Sequence, residues 1–114
     1  MTPTLYGIKN CDTVKKARAW LGGQGVAYDF HDYKSAGIDA PRLRAWIDEF
    51  GWERVLNRAG TTFRKLADGE KEGLDAGKAV ALMLAQPSMI KRPILELDGR
   101  RLLGFDAQVW ADAL

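Results

Sequence analysis

Apolar and polar positions alternate in three distinct ways along this chain. Thr4 to Ile8 is a short apolar run directly after Pro3, which predicts a buried strand. Lys9-Asn10 turns the chain. From Cys11 or Asp12 to about Leu21 the pattern is helical. Val14, Ala17 and Leu21 fall at i, i+3 and i+7, and Gly22-Gly23 is expected to stop the helix. Val26, Tyr28 and Phe30 then alternate with Ala27, Asp29 and His31, which predicts a second strand. A strand, a helix and a strand in so few residues form a βαβ unit with parallel strands.

The next stretch is helical. Ser35 to Ala40 reads as a polar loop in which Asp39 caps a helix and Pro41 occupies its first turn. Leu43, Trp46, Ile47 and Phe50 place an apolar stripe on that helix, and Gly51 ends it. Trp52 to Leu56 reads as a further turn. Asn57 to Gly60 is a loop, and Thr61 or Thr62 is expected to cap a short helix through Leu66 that Asp68-Gly69 breaks. A helix over Ala76–Gln86 has Val80, Met83 and Leu84 on one face, and Pro87 closes it. Strands return at 93–97 and 101–104. They flank Asp98-Gly99, a strong hairpin signal. A last helix from about Asp106 spaces Phe105, Val109 and Ala113 by four, and likewise Trp110 and Leu114. The order βαβ, helices, ββα is that of a thioredoxin-like α/β fold. It implies a mixed four-stranded sheet in a single domain over 1–114, with a helical insertion at about 39–86.

Composition narrows the function. With 114 residues and no repeat or linker, one core is expected. A net charge of +2, from 17 basic and 15 acidic residues, is close to balance and gives no reason to expect nucleic acid or an anionic membrane as partner. One cysteine and one histidine exclude an internal disulfide and any zinc site built of these ligands. No metal and no bound cofactor are expected. The first residues do not resemble a secretory signal, no apolar run is long enough to span a bilayer, and a lone thiol fits the reducing cytoplasm. A cytoplasmic monomer is the expectation.

Cys11 lies where the first strand gives way to the first helix. A helix N-terminus presents unpaired N–H groups and partial positive charge, both of which favour a thiolate over a thiol. Lys9 and Lys15 add positive potential, Asn10 and Thr13 offer hydrogen bonds to the sulfur or to a bound oxyanion, and Asp12 opposes. The competing reading is a buried, inert packing cysteine. Position 14, where a second cysteine of a dithiol motif would stand, is Val14, so a mixed disulfide on Cys11 needs an outside thiol to resolve it. The other candidates carry less. His31 reads as a partly exposed strand residue and the four tryptophans as core. Gly22 to Gly25 lacks the lysine and hydroxyl of a phosphate loop, and Asp29, Asp32 and Asp39 lack metal-loop spacing.

Three segments carry a family resemblance. Tyr6-Gly7-Ile8-Lys9-Asn10-Cys11-Asp12-Thr13-Val14-Lys15-Lys16-Ala17 resembles the active-site segment of the arsenate reductase-like (ArsC/Spx) family, in particular its YffB-type subgroup. Residues 57–66 resemble its middle motif. Pro87 to Leu95 resembles its third motif, with Gly104-Phe105-Asp106 following. The resemblance implies that Cys11 is the reactive thiol, that Arg92 faces it and binds an anion, and that Pro93 is a cis proline whose exposed backbone groups pair with an extended peptide such as glutathione. Lys9, Asn10 and Thr13, from their places around the helix start, and Arg58 of the middle motif are further binding candidates. Two departures weaken arsenate binding: Ala59 stands where an arginine is usual, with Arg58 one place earlier, and Leu103-Gly104-Phe105 lacks another. The expected activity is that of a glutathione-dependent monothiol reductase acting on disulfide, oxidised or oxyanion substrates, with arsenate disfavoured. The alternative is an Spx-like redox-sensing or protein-binding module, with RNA polymerase or another protein as partner and no turnover.

Overall fold

The computed structural model describes residues 2–114. In chain order its elements begin with β1 (Thr4–Gly7), α1 (Asp12–Gly23), β2 (Asp29–Asp32) and α2 (Tyr33–Ala36). There follow α3 (Ala40–Phe50), α4 (Trp52–Val55), α5 (Thr61–Arg64), α6 (Asp68–Lys71), α7 (Ala76–Ala85) and a 3-10 turn at Pro87–Met89. The chain closes with β3 (Ile94–Leu97), β4 (Arg100–Leu103) and α8 (Ala107–Ala113). These elements divide into two compact units, one holding the described residues up to Ala36 and from Arg92 onward, the other Gly37–Lys91.

The first unit is a four-stranded mixed sheet in the order β2-β1-β3-β4. β1 and β2 are parallel, and β3 runs antiparallel to both β1 and β4. The register explains the core. Phe30 lies opposite Leu5, Leu5 opposite Leu95, and Leu95 opposite Leu102, so one apolar row crosses all four strands on a single face. Ala17 and Leu21 of α1 and Trp110 of α8 cluster with Leu5, Leu95 and Leu102, and these residues are almost wholly buried. Trp110 also donates from Nε1 to the Gly104 carbonyl at 3.1 Å, which satisfies the one polar atom it carries inward. This is the mixed sheet with helices of a thioredoxin-like α/β protein.

In the second unit α3 packs on α4 and α7, burying Leu43, Trp46 and Ile47. Asp39 caps α3 through the Arg42 N–H at 2.8 Å, with Pro41 in the first turn, as the sequence pattern predicts. The segment after the 3-10 turn runs beside α4: Asn57 N–H donates to the Met89 carbonyl and Lys91 N–H to that of Val55, each at 2.7 Å.

Several elements depart from the sequence expectation. α1 continues through Gly22-Gly23, because glycine tolerates helical dihedrals and the left-handed residue comes later, at Gly25 with φ 71°. Val26 still donates to the Leu21 carbonyl, so β2 starts only at Asp29. Tyr33–Ala36, partly assigned to a loop, is a helical turn. Gly60 rather than a threonine precedes α5. Thr61 is its first residue, and Thr62 pairs its hydroxyl with Ser88 at 3.1 Å. Asp68-Gly69 opens α6 instead of merely ending a helix, with the Glu70 carboxylate accepting the Ala67 N–H. Leu84, Val109 and Leu114 are exposed. The buried face of α7 is Ala79, Val80 and Met83, and seven-residue α8 buries Trp110.

Candidate active site around Cys11

β1 delivers the chain to the site, and Gly7 sets how closely. A Cβ at Gly7 would lie 2.8 Å from Cγ2 of buried Val14 on α1. Only glycine lets the strand end press on the helix it precedes. The chain then turns tightly, with the Cys11 N–H donating to the Ile8 carbonyl at 3.2 Å. Cys11 is the N-cap of α1, extended at φ −108° and ψ 127°, and its carbonyl accepts the Lys15 N–H at 2.9 Å. Its thiol is half-buried.

Partial burial pushes the Cys11 thiol up, but four influences outweigh it. The Val14 amide, a hydrogen bond from Arg92, the Thr13 amide and the charge of Arg92 bring the pKa below its ordinary value of 9.0. The sulfur makes no strict capping hydrogen bond, so the amides act on it chiefly as oriented dipoles. Arg92 stands at the other end of the unit's chain, just before β3, and the Arg92–Pro93 peptide is cis. Its Nε is buried and makes no hydrogen bond, while the guanidinium serves Cys11 and Tyr33.

The structure thus brings Cys11, Thr13 and Arg92 together, with Pro93 joined to Arg92 by the cis peptide, though Thr13 serves the sulfur through its backbone. Lys9 and Asn10 are exposed and, with Ile8, Asp32, Lys34 and Ser35, line a cavity of about 330 Å³. The Lys9 N–H is committed to the Asp32 carboxylate at 3.1 Å. Arg58 lies in the second unit, exposed, with its guanidinium 5.5 Å from the Trp52 ring centre. His31 is partly buried against Tyr6, ring centres 5.1 Å apart.

Two residues escape the sequence reading. Tyr33 is fully buried beside Arg92. Burial pushes the Asp32 carboxyl up, but the N–H bonds it accepts from Lys9, Lys34 and Ser35 together outweigh this and hold it below the usual range. The signal for Asp32 is an acidic residue two and three positions before amides that need a cap.

Comparison with known proteins identifies the family and the fold. The ArsC family model matches residues 6–113. A solved YFFB protein is 65% identical and superimposes with a TM-score of 0.96, covering 99% of both chains. A solved arsenate reductase (ArsC) related protein from Brucella melitensis is 56% identical, with a TM-score of 0.78 over 97% of this chain and 93% of its own. The global transcriptional regulator Spx of Streptococcus agalactiae is 31% identical over 106 residues, which cover 90% of this chain and 76% of that protein.

Proposed function

The chain belongs to the ArsC family, and from that premise we propose that it is a cytoplasmic monothiol reductase that uses glutathione to regenerate Cys11. What supports the reading is one observation: a half-buried thiol at a helix N-terminus, its pKa lowered by two amides and the Arg92 guanidinium. In the reaction the Cys11 thiolate attacks one sulfur of a substrate disulfide. That S–S bond breaks, a new one forms to Cys11, and the departing sulfur leaves as a thiolate that takes up a proton from water. A glutathione thiolate then attacks the mixed disulfide and carries off the remaining group. With a glutathionylated substrate the products are the free substrate thiol and oxidised glutathione. The chain contains no second cysteine, so it cannot resolve the adduct itself.

Arg92 has two tasks in this scheme. It holds the sulfur anionic before attack, and its forked donors bind an anionic group of the incoming substrate. The test is a reductase assay over a panel of disulfides, glutathionylated peptides and arsenate, with Cys11→Ser as control. We expect turnover of a disulfide that needs glutathione and vanishes in Cys11→Ser, together with a glutathione adduct on Cys11 by mass spectrometry after oxidised glutathione. A thiol that stays unreactive defeats the proposal. The Spx relative favours a second reading, in which the same thiol senses oxidation for a protein partner. That reading predicts an adduct without catalytic turnover.

A further inference from the structure

Tyr33 takes no part in the reaction proposed above, yet it is wholly buried next to the one cation that does. It opens α2, and Asp32 immediately before it is the cap of that turn. One carboxylate oxygen of Asp32 accepts the N–H groups of Lys34 and Ser35 at 2.9 and 3.3 Å, and the other accepts that of Lys9 at 3.1 Å. A single carboxylate therefore fixes both the turn that carries Tyr33 and the loop that leads to Cys11. The phenol of Tyr33 is hydrogen-bonded to Arg92, and Arg92 is hydrogen-bonded to Cys11. A guanidinium has only donors, so the phenol oxygen is the acceptor.

We propose that Tyr33 is a positioning residue for Cys11, a neutral acceptor that aims the Arg92 guanidinium at Sγ without cancelling its charge. The choice of side chain carries the argument. A carboxylate in this place would orient Arg92 more firmly, but its charge would oppose both the thiolate and an anionic substrate. An aliphatic side chain would leave a long, flexible arginine to swing away. A buried tyrosine avoids both costs. Burial raises its ionisation well above the ordinary 10, so it stays an uncharged acceptor wherever the thiolate forms.

The inference rests on Cys11 acting as a thiolate, and one series of measurements separates the two claims. The rate of Cys11 alkylation by iodoacetamide is followed against pH in wild type, Tyr33→Phe, Arg92→Ala and the double variant, with unfolding midpoints measured alongside. Tyr33→Phe is expected to raise the thiol pKa by on the order of half a unit, about a threefold loss of thiolate on the acid side. Arg92→Ala is expected to raise it further, and the double variant to match Arg92→Ala alone. A tyrosine that only fills space would lower the unfolding midpoint and leave the alkylation profile where it is, which overturns the proposal. So does an equal shift in the Arg92→Ala background, since Tyr33 would then act without Arg92. If wild type itself shows no lowered pKa, the thiolate reading fails and the role of Tyr33 falls with it. Tyr33→Met fills the same volume with an adaptable apolar chain and provides the comparison should the phenylalanine protein not fold.

Discussion

Cys11 ties the stability of the protein to pH in a definite direction. Its pKa is lower in the folded protein than the ordinary 9.0. The folded state therefore gains stability as pH rises through the folded pKa towards 9, and loses that increment as pH falls back through it. Urea unfolding of wild type and Cys11→Ser across this range is expected to show the difference between them growing in favour of wild type as pH rises. Gly7 makes the second residue-scale prediction. Its missing Cβ leaves room for Val14, which a methyl group would meet at 2.8 Å. Gly7→Ala should cost about 1–3 kcal/mol in urea unfolding, the usual penalty of overpacking. Cys11 was legible as a candidate because its chemistry depends on where the first strand hands over to the first helix, and apolar spacing locates that junction. Tyr33 was not, because a buried tyrosine looks like any core residue until its oxygen is seen against Arg92.

Short elements depend on their caps more than on their apolar faces. α2 is a single turn held by Asp32, whose carboxyl titrates below the ordinary 3.8. Its contribution is complete above that value and disappears as pH falls through the lower, folded value. Acid unfolding of Asp32→Asn, followed by circular dichroism, should lack the part of the pH dependence that this group supplies. α8 makes the same point with a longer lever. Asp106 accepts the N–H groups of Gln108 and Val109 at 3.0 and 3.2 Å. Asp106→Ala should cost about 0.5–2 kcal/mol, read as a lower urea midpoint. Periodicity reveals α1, α3, α7 and the Asp98-Gly99 hairpin, since each repeats its pattern over enough residues. It fails for α2 and α6, one turn each, where a local carboxylate decides the conformation. It also misplaces the start of β2, because Val26 is still bonded to the end of α1.

At the scale of the whole molecule, the apolar row Phe30–Leu5–Leu95–Leu102 organises the first unit, and Trp110 is the largest fully buried side chain clustered with it. Trp110→Ala should cost about 3–5 kcal/mol by thermal or urea unfolding. Trp110→Phe should cost less, because most of the packing survives and only the bond to Gly104 is lost. The strand order follows from the sequence through the βαβ unit and the hairpin, but the pairing of β1 with β3 is a long-range choice that no local pattern encodes. The hydrogen bond between Tyr33 and Arg92 has a consequence at this scale. Tyr33 lies three residues before the chain departs for residues 37–91, and Arg92 is where it returns. The excursion thus starts and finishes at a clasp that already belongs to the reactive centre. Doubling the length of such a detour adds only about 0.6 kcal/mol of closure entropy. Changes in the length of residues 37–91 therefore carry only a small entropic penalty while the two ends stay clasped.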